Sequence, residues 1–76
     1  MKAFILIKME PGKVREALEF MARMPKVKEV YAVTGPDDVI CLVEADSAKA
    51  LSEMVISELH QVDGLQATDT RIVVEL

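Results

Sequence analysis

The stretch Tyr31 to Glu44, YAVTGPDDVICLVE, decides how the chain folds. Two apolar runs rich in β-branched residues flank Gly35, Pro36, Asp37 and Asp38. That is the pattern of a hairpin with a loop of about four or five residues. Gly35 has access to backbone angles closed to other residues, Pro36 presets φ at the first turn position, and aspartates accept hydrogen bonds from nearby amides. GPDD is therefore good turn chemistry. It is also the one local cluster whose carboxylates and exposed amides, at a loop tip, suit a ligand or a partner.

Working outward, the first arm of the hairpin runs from Val27 to Thr34, with Tyr31 and Val33 on one face and Val30 and Ala32 on the other. Lys26, Lys28 and Glu29 make its start polar, as at a sheet edge. The second arm, Val39 to Ala45, is almost wholly apolar and reads as a central strand. Ala3 to Met9 is another short run, apolar on both faces, and is also expected to be central.

Between these strands the period changes. Val14, Ala17, Leu18 and Met21 form one stripe of an amphipathic helix over Lys13 to Arg23. Glu19 and Arg23 are spaced to pair on its surface, and Met24-Pro25 ends it. Beyond the hairpin, Asp46 or Ser47 caps a second helix, Ala48 to Leu59, whose buried stripe is Leu51, Met54, Val55 and Leu59, with Val62 continuing it. Asp63-Gly64 stops it, and Leu65 to Leu76 is the last strand.

The order strand, helix, strand, strand, helix, strand points to an α+β fold, the ferredoxin-like split βαβ sandwich. Its four antiparallel strands carry both helices on one face, with strands one and three central. Residues 1–76 are read as a single domain. The helices leave the other sheet face uncovered although its side chains are apolar, so a second copy packed sheet against sheet is expected.

Composition removes several function classes. A net charge of −4 disfavours direct nucleic-acid binding. No run approaches the roughly 20 apolar residues of a membrane span, and no signal peptide is visible. One cysteine, Cys41, allows neither an internal disulfide nor a four-cysteine metal site, and its apolar surroundings suit a buried thiol in a reducing cytoplasm. His60 stands at a helix end without metal ligands nearby, and Gly12, Gly35 and Gly64 are too isolated for a phosphate loop. No catalytic, metal or cofactor site is expected. Asp69 and Arg71, two apart on one strand face, read as a surface ion pair.

What remains suits a small polar ligand. Thr68 and Thr70 point to one side of the last strand with hydroxyls that donate and accept. Carboxylates such as Asp37 and Asp38 suit an ammonium, and free backbone amides suit a carboxylate. Threonine pairs are equally ordinary strand residues.

PKVKEVYAVTGPDDVICLVEADS and TDTRIVV, in this order and spacing, resemble the ligand-binding (RAM) domain of the Lrp/AsnC regulators of amino-acid metabolism. The resemblance covers essentially the whole chain and fits the stand-alone form, without the helix-turn-helix domain that full-length members carry. It implies the same split βαβ sandwich, dimers formed through the sheets, higher oligomers, and an amino-acid effector bound between dimers. It further implies partnership with full-length regulators. In the family's loop pattern, Gly-x-aromatic-Asp, Gly35 and Asp38 match, Pro36 takes the variable place, and Asp37 stands where an aromatic is common. Thr68 and Thr70 match polar positions near the effector, and Tyr31 and Val33 are wall residues by hairpin position. Two alternatives share this topology. One is a dimeric α/β barrel enzyme of the cofactor-free monooxygenase type, disfavoured by the absence of tryptophan and asparagine. The other is an assembly scaffold without a ligand, which the Asp37 departure favours.

Overall fold

In the computed structural model, which describes residues 1–76, β1 (Lys2–Met9), α1 (Val14–Ala22), β2 (Val27–Ala32), β3 (Val39–Glu44), α2 (Ala48–Ser57) and β4 (Leu65–Ile72) follow in that order. The strands form one antiparallel sheet in the order β2-β3-β1-β4, so β1 and β3 are central. This is the ferredoxin-like arrangement that the element order implies.

Alternation along the strands divides the side chains between two environments. Ala3, Ile5 and Ile7 of β1 and Val39, Cys41 and Val43 of β3 face the helices and are fully buried. They pack with Ala17 and Met21 of α1 and with Leu51 and Met54 of α2 in one core. Val14, Leu18 and Val55, on the same helix stripes, are half-buried at its margin. Burial removes the stabilising water from a Cys41 thiolate and pushes the thiol up to about 11.

Capping settles the start of α2. Ser47, not Asp46, holds the N-cap position, and its Oγ accepts a 3.1 Å hydrogen bond from Ala50 N. The end of that helix differs from the expected continuous run to Leu59. Regular α-helix stops at Ser57, and a short 3₁₀ turn over Leu59–Gln61 still delivers Leu59 and Val62 to the core. β4 also ends earlier than the expected Leu76. Its partner β1 begins at Lys2, and the last bond between them runs from Val73 N to Lys2 O.

Two charged contacts tie distant elements or neighbours. Lys13 Nζ lies 3.2 Å from Asp63 Oδ2, joining the start of α1 to the turn before β4. Arg71 NH2 lies 3.0 Å from Asp69 Oδ2, the surface pair that the strand spacing implies. The expected Glu19–Arg23 pair does not form, since these two are the ion pairs of the chain.

Candidate functional site

The hairpin loop is built onto the end of β1. Its closing hydrogen bond runs 2.9 Å from Val33 N to Asp38 O, which leaves Thr34 to Asp37 as the loop. Asp38 N donates to Ile7 O at 2.9 Å, and Asp38 Oδ2 accepts from Met9 N at 2.8 Å. The carboxylate thus takes the place of the main-chain acceptor that β3 would supply if it continued. Lys8 Nζ donates to Pro36 O at 3.1 Å on the other sheet face. The loop is fastened to β1 at three points.

This anchoring separates the two aspartates by role. Asp38 is half-buried and engaged, whereas Asp37 makes no hydrogen bond or ion pair with the rest of the chain. Gly35 differs from expectation: positive φ is found at Gly12 and Gly64 and not at Gly35. The following Pro36 steers its predecessor toward extended angles, which explains why the special region is not used. A Cβ at Gly35 would meet nothing within 4 Å, so the backbone there is open to approach from outside.

Tyr31 and Val33 lie on the sheet face away from the helices, both exposed. Tyr31 Oη donates to Glu29 Oε1 at 2.6 Å, and the adjacent carboxylate raises the phenol above its usual range. Their neighbours on that face include Phe4, Leu6, Ile40 and Leu42, with Phe4 44% and Tyr31 57% exposed. The open face is therefore apolar at its centre. Lys8, Glu29, Asp69 and Arg71 stand around it.

Thr68 and Thr70 occupy the opposite face of β4. They pair across β1 with Ile7 and Ile5, whose side chains point to the helices. Ile7 also pairs with Val39, so Thr68 and the residue after Asp38 lie two strand spacings apart, about 9–10 Å. One chain therefore holds the sequence-derived site residues in two groups, the hairpin loop and the β4 threonines, on either side of β1.

Thr70 instead opens onto a groove that the sequence did not single out. About 350 Å³ of space lies between α2 and the end of β4, with Leu51, Val55 and Ile56 on one side and Thr70 and Ile72 on the other. The available signal was Ile56, a large apolar residue off the buried stripe of its helix, 65% exposed. No set of three His, Cys, Asp or Glu side chains is placed to hold a metal ion. No helix is long and apolar enough to cross a membrane.

The model of the Lrp/AsnC ligand binding domain matches residues 2–76. The chain belongs to that family. An uncharacterised HTH-type transcriptional regulator of Pyrococcus abyssi is 34% identical over 70 residues, covering 92% of this chain and 44% of the relative. The chain spans about half the length of the curated relatives it matches. Among solved structures, Escherichia coli AsnC superposes with a TM-score of 0.92 at 28% identity, over 99% of this chain and 51% of that one. A transcriptional regulator of Neisseria meningitidis, solved as its L-Met complex, gives a TM-score of 0.87 at 25% identity, over 97% and 49%. In this Lrp/AsnC ligand-binding domain, the hairpin loop, the open sheet face and the β4 threonines are the candidate surfaces.

Proposed function

We propose that residues 1–76 form one amino-acid-binding and oligomerisation domain, a non-enzymatic module that modulates transcriptional regulators of amino-acid metabolism in the cytoplasm. The match of the family's ligand-binding domain across residues 2–76 carries this reading. The L-Met complex of the Neisseria meningitidis relative supports the ligand class.

Assembly follows from the apolar open face. Phe4, Leu6, Ile40 and Leu42 are covered when a second copy packs its sheet against them in a two-fold dimer. The hairpin loop and the β4 threonines, separated in one chain, are brought to a common ligand only between copies, and higher oligomers are the natural setting. Asp37, the free carboxylate, receives the ammonium. Asp38 fixes the loop, the open backbone at Gly35 allows close approach, and Thr68 and Thr70 hydrogen-bond polar atoms. Tyr31 and Val33 form the wall beside the loop. Full-length regulators of the family, sharing the same dimerising sheet, are the expected protein partners.

The test is size-exclusion chromatography with light scattering in the presence of each of the twenty amino acids. One amino acid is expected to stabilise or rearrange an oligomer, and the double variant Asp37→Ala/Thr68→Val to lose that response. A folded monomer of 8.4 kDa indifferent to all twenty would refute the reading.

A further inference from the structure

We propose that the cleft between α1 and the turn before β4 docks an arginine side chain presented by a partner protein. The chain holds three aromatic rings, and two of them, Phe4 and Tyr31, lie on the open sheet face. Phe20 stands alone on the helix layer, 46% exposed, although the buried stripe of α1 is formed without it. Core packing therefore does not account for it. Beside it, the buried Ala17 and Val62 floor a cleft of about 120 Å³. That space is below the range of small-molecule sites and suits one side chain rather than a whole ligand. Sheet-to-sheet packing of two copies leaves it open, because α1 lies on the opposite side of the sheet.

The rim supplies the sign of the occupant. Glu16 and Asp63 border the cleft. Lys13 already places an ammonium 3.2 Å from Asp63 Oδ2. The hydrogen bond and charge of Asp63, followed by the charges of Glu16 and Glu10, raise that ammonium above its ordinary value. Three carboxylates thus act on one cation, which leaves room in the local charge for a second. Glu16 itself makes no side-chain hydrogen bond or ion pair within the chain. A guanidinium meets these conditions better than an ammonium. It is planar and weakly hydrated, packs on an aromatic ring, and offers a carboxylate two parallel N–H groups. Its apolar stem covers Ala17 and Val62 while the charged head stays at the rim. An aliphatic side chain would leave Glu16 without a partner, and an acidic one would be repelled.

Proton–nitrogen correlation NMR of the 76-residue chain, titrated with N-acetyl-L-arginine amide, tests the assignment. Blocking both ends removes the ammonium and carboxylate by which a free amino acid would bind. Shifts are expected at Glu16, Ala17, Phe20, Val62 and Asp63, with a dissociation constant on the order of millimolar for so small a ligand. N-acetyl-L-citrulline amide, close in shape but uncharged, should bind at least about threefold more weakly. Phe20→Ala, at an exposed position, should weaken arginine binding about two- to fivefold. Glu16→Lys, which turns attraction into repulsion, should weaken it by at least about fivefold. Glu53→Lys, the same change of charge on the exposed surface of α2, should bind as the parent does. Citrulline or N-acetyl-L-norleucine amide binding as tightly as arginine would overturn the cationic occupant. So would the absence of shifts at these residues, or a loss in Glu53→Lys equal to that in Glu16→Lys, which would reduce the effect to bulk charge. None of these outcomes touches the amino-acid reading, which stands or falls on the response of the oligomer to free amino acids.

Discussion

The two faces of this sheet are made by the same strands, yet they meet opposite conditions. On one, Ile5, Ile7, Cys41 and Val43 are sealed beneath two helices. On the other, Phe4, Leu6, Ile40 and Leu42 are equally apolar in type but stand half-buried or exposed. Residue type alone does not distinguish them. The difference lies in what the chain can supply: two short helices cover one face of four strands and no more. A chain of this size builds one core beneath its two helices, and its second apolar face stays open.

The largest effect that tests this contrast is in the sealed core. Ile5→Ala should cost about 2–5 kcal/mol, because the cavity left among close-packed neighbours adds to the lost transfer energy. Urea denaturation will show a lowered midpoint or a chain unfolded in water. Leu42→Glu, on the open face opposite Phe4, should instead leave the far-ultraviolet circular dichroism intact while reducing the light-scattering mass to that of one chain. Equal loss of fold in both variants would erase the distinction between the faces.

Smaller effects sharpen it at the margins. Asp38→Ala removes the acceptor of Met9 N and should cost about 1–2 kcal/mol in thermal or urea melts, the usual penalty for orphaning a partly buried donor. Cys41 gives the most specific signal. Its thiol is raised to about 11 in the folded chain, while an unfolded thiol titrates near 8.5. Above the unfolded value the unfolded state binds fewer protons than the native one, so stability should decline as pH rises through the window between these values. Cys41→Ala flattens that decline. In the native protein at pH 8 the thiol should react with a disulfide reagent only as fast as the chain opens.

Strand positions and the helix stripes were legible in the sequence because each rests on a local pattern. Ala3 to Met9 is a short apolar run of strand length, Val14, Ala17 and Met21 recur with helical spacing, and the central places of β1 and β3 follow from their apolar character. Element ends were less legible. The stop of β4 at Ile72 is set by where β1 begins, and the 3₁₀ turn at Leu59 by packing at the helix end. Contacts across long separations left no local signal. Asp38 with Met9 and Lys13 with Asp63 join residues whose neighbours in sequence say nothing of each other. The hairpin loop and Thr68 could be named as candidates from turn chemistry and hydroxyls, but their separation by β1 required the sheet order. Ile56 was visible only as a residue missing from the buried stripe.

The bond from Met9 N to Asp38 Oδ2 also provides a way of watching the loop. Met9 lies where the register between β1 and β4 shifts, and its amide is held by a side chain rather than by a neighbouring strand. Its hydrogen can exchange with solvent only when Asp38 lets go, whereas the amides along the middle of β1 wait for the sheet itself to open. In a deuterium-exchange experiment, the rate at that single amide is a clock for the hairpin. A ligand that tightens the loop slows it without touching the rest of the strand.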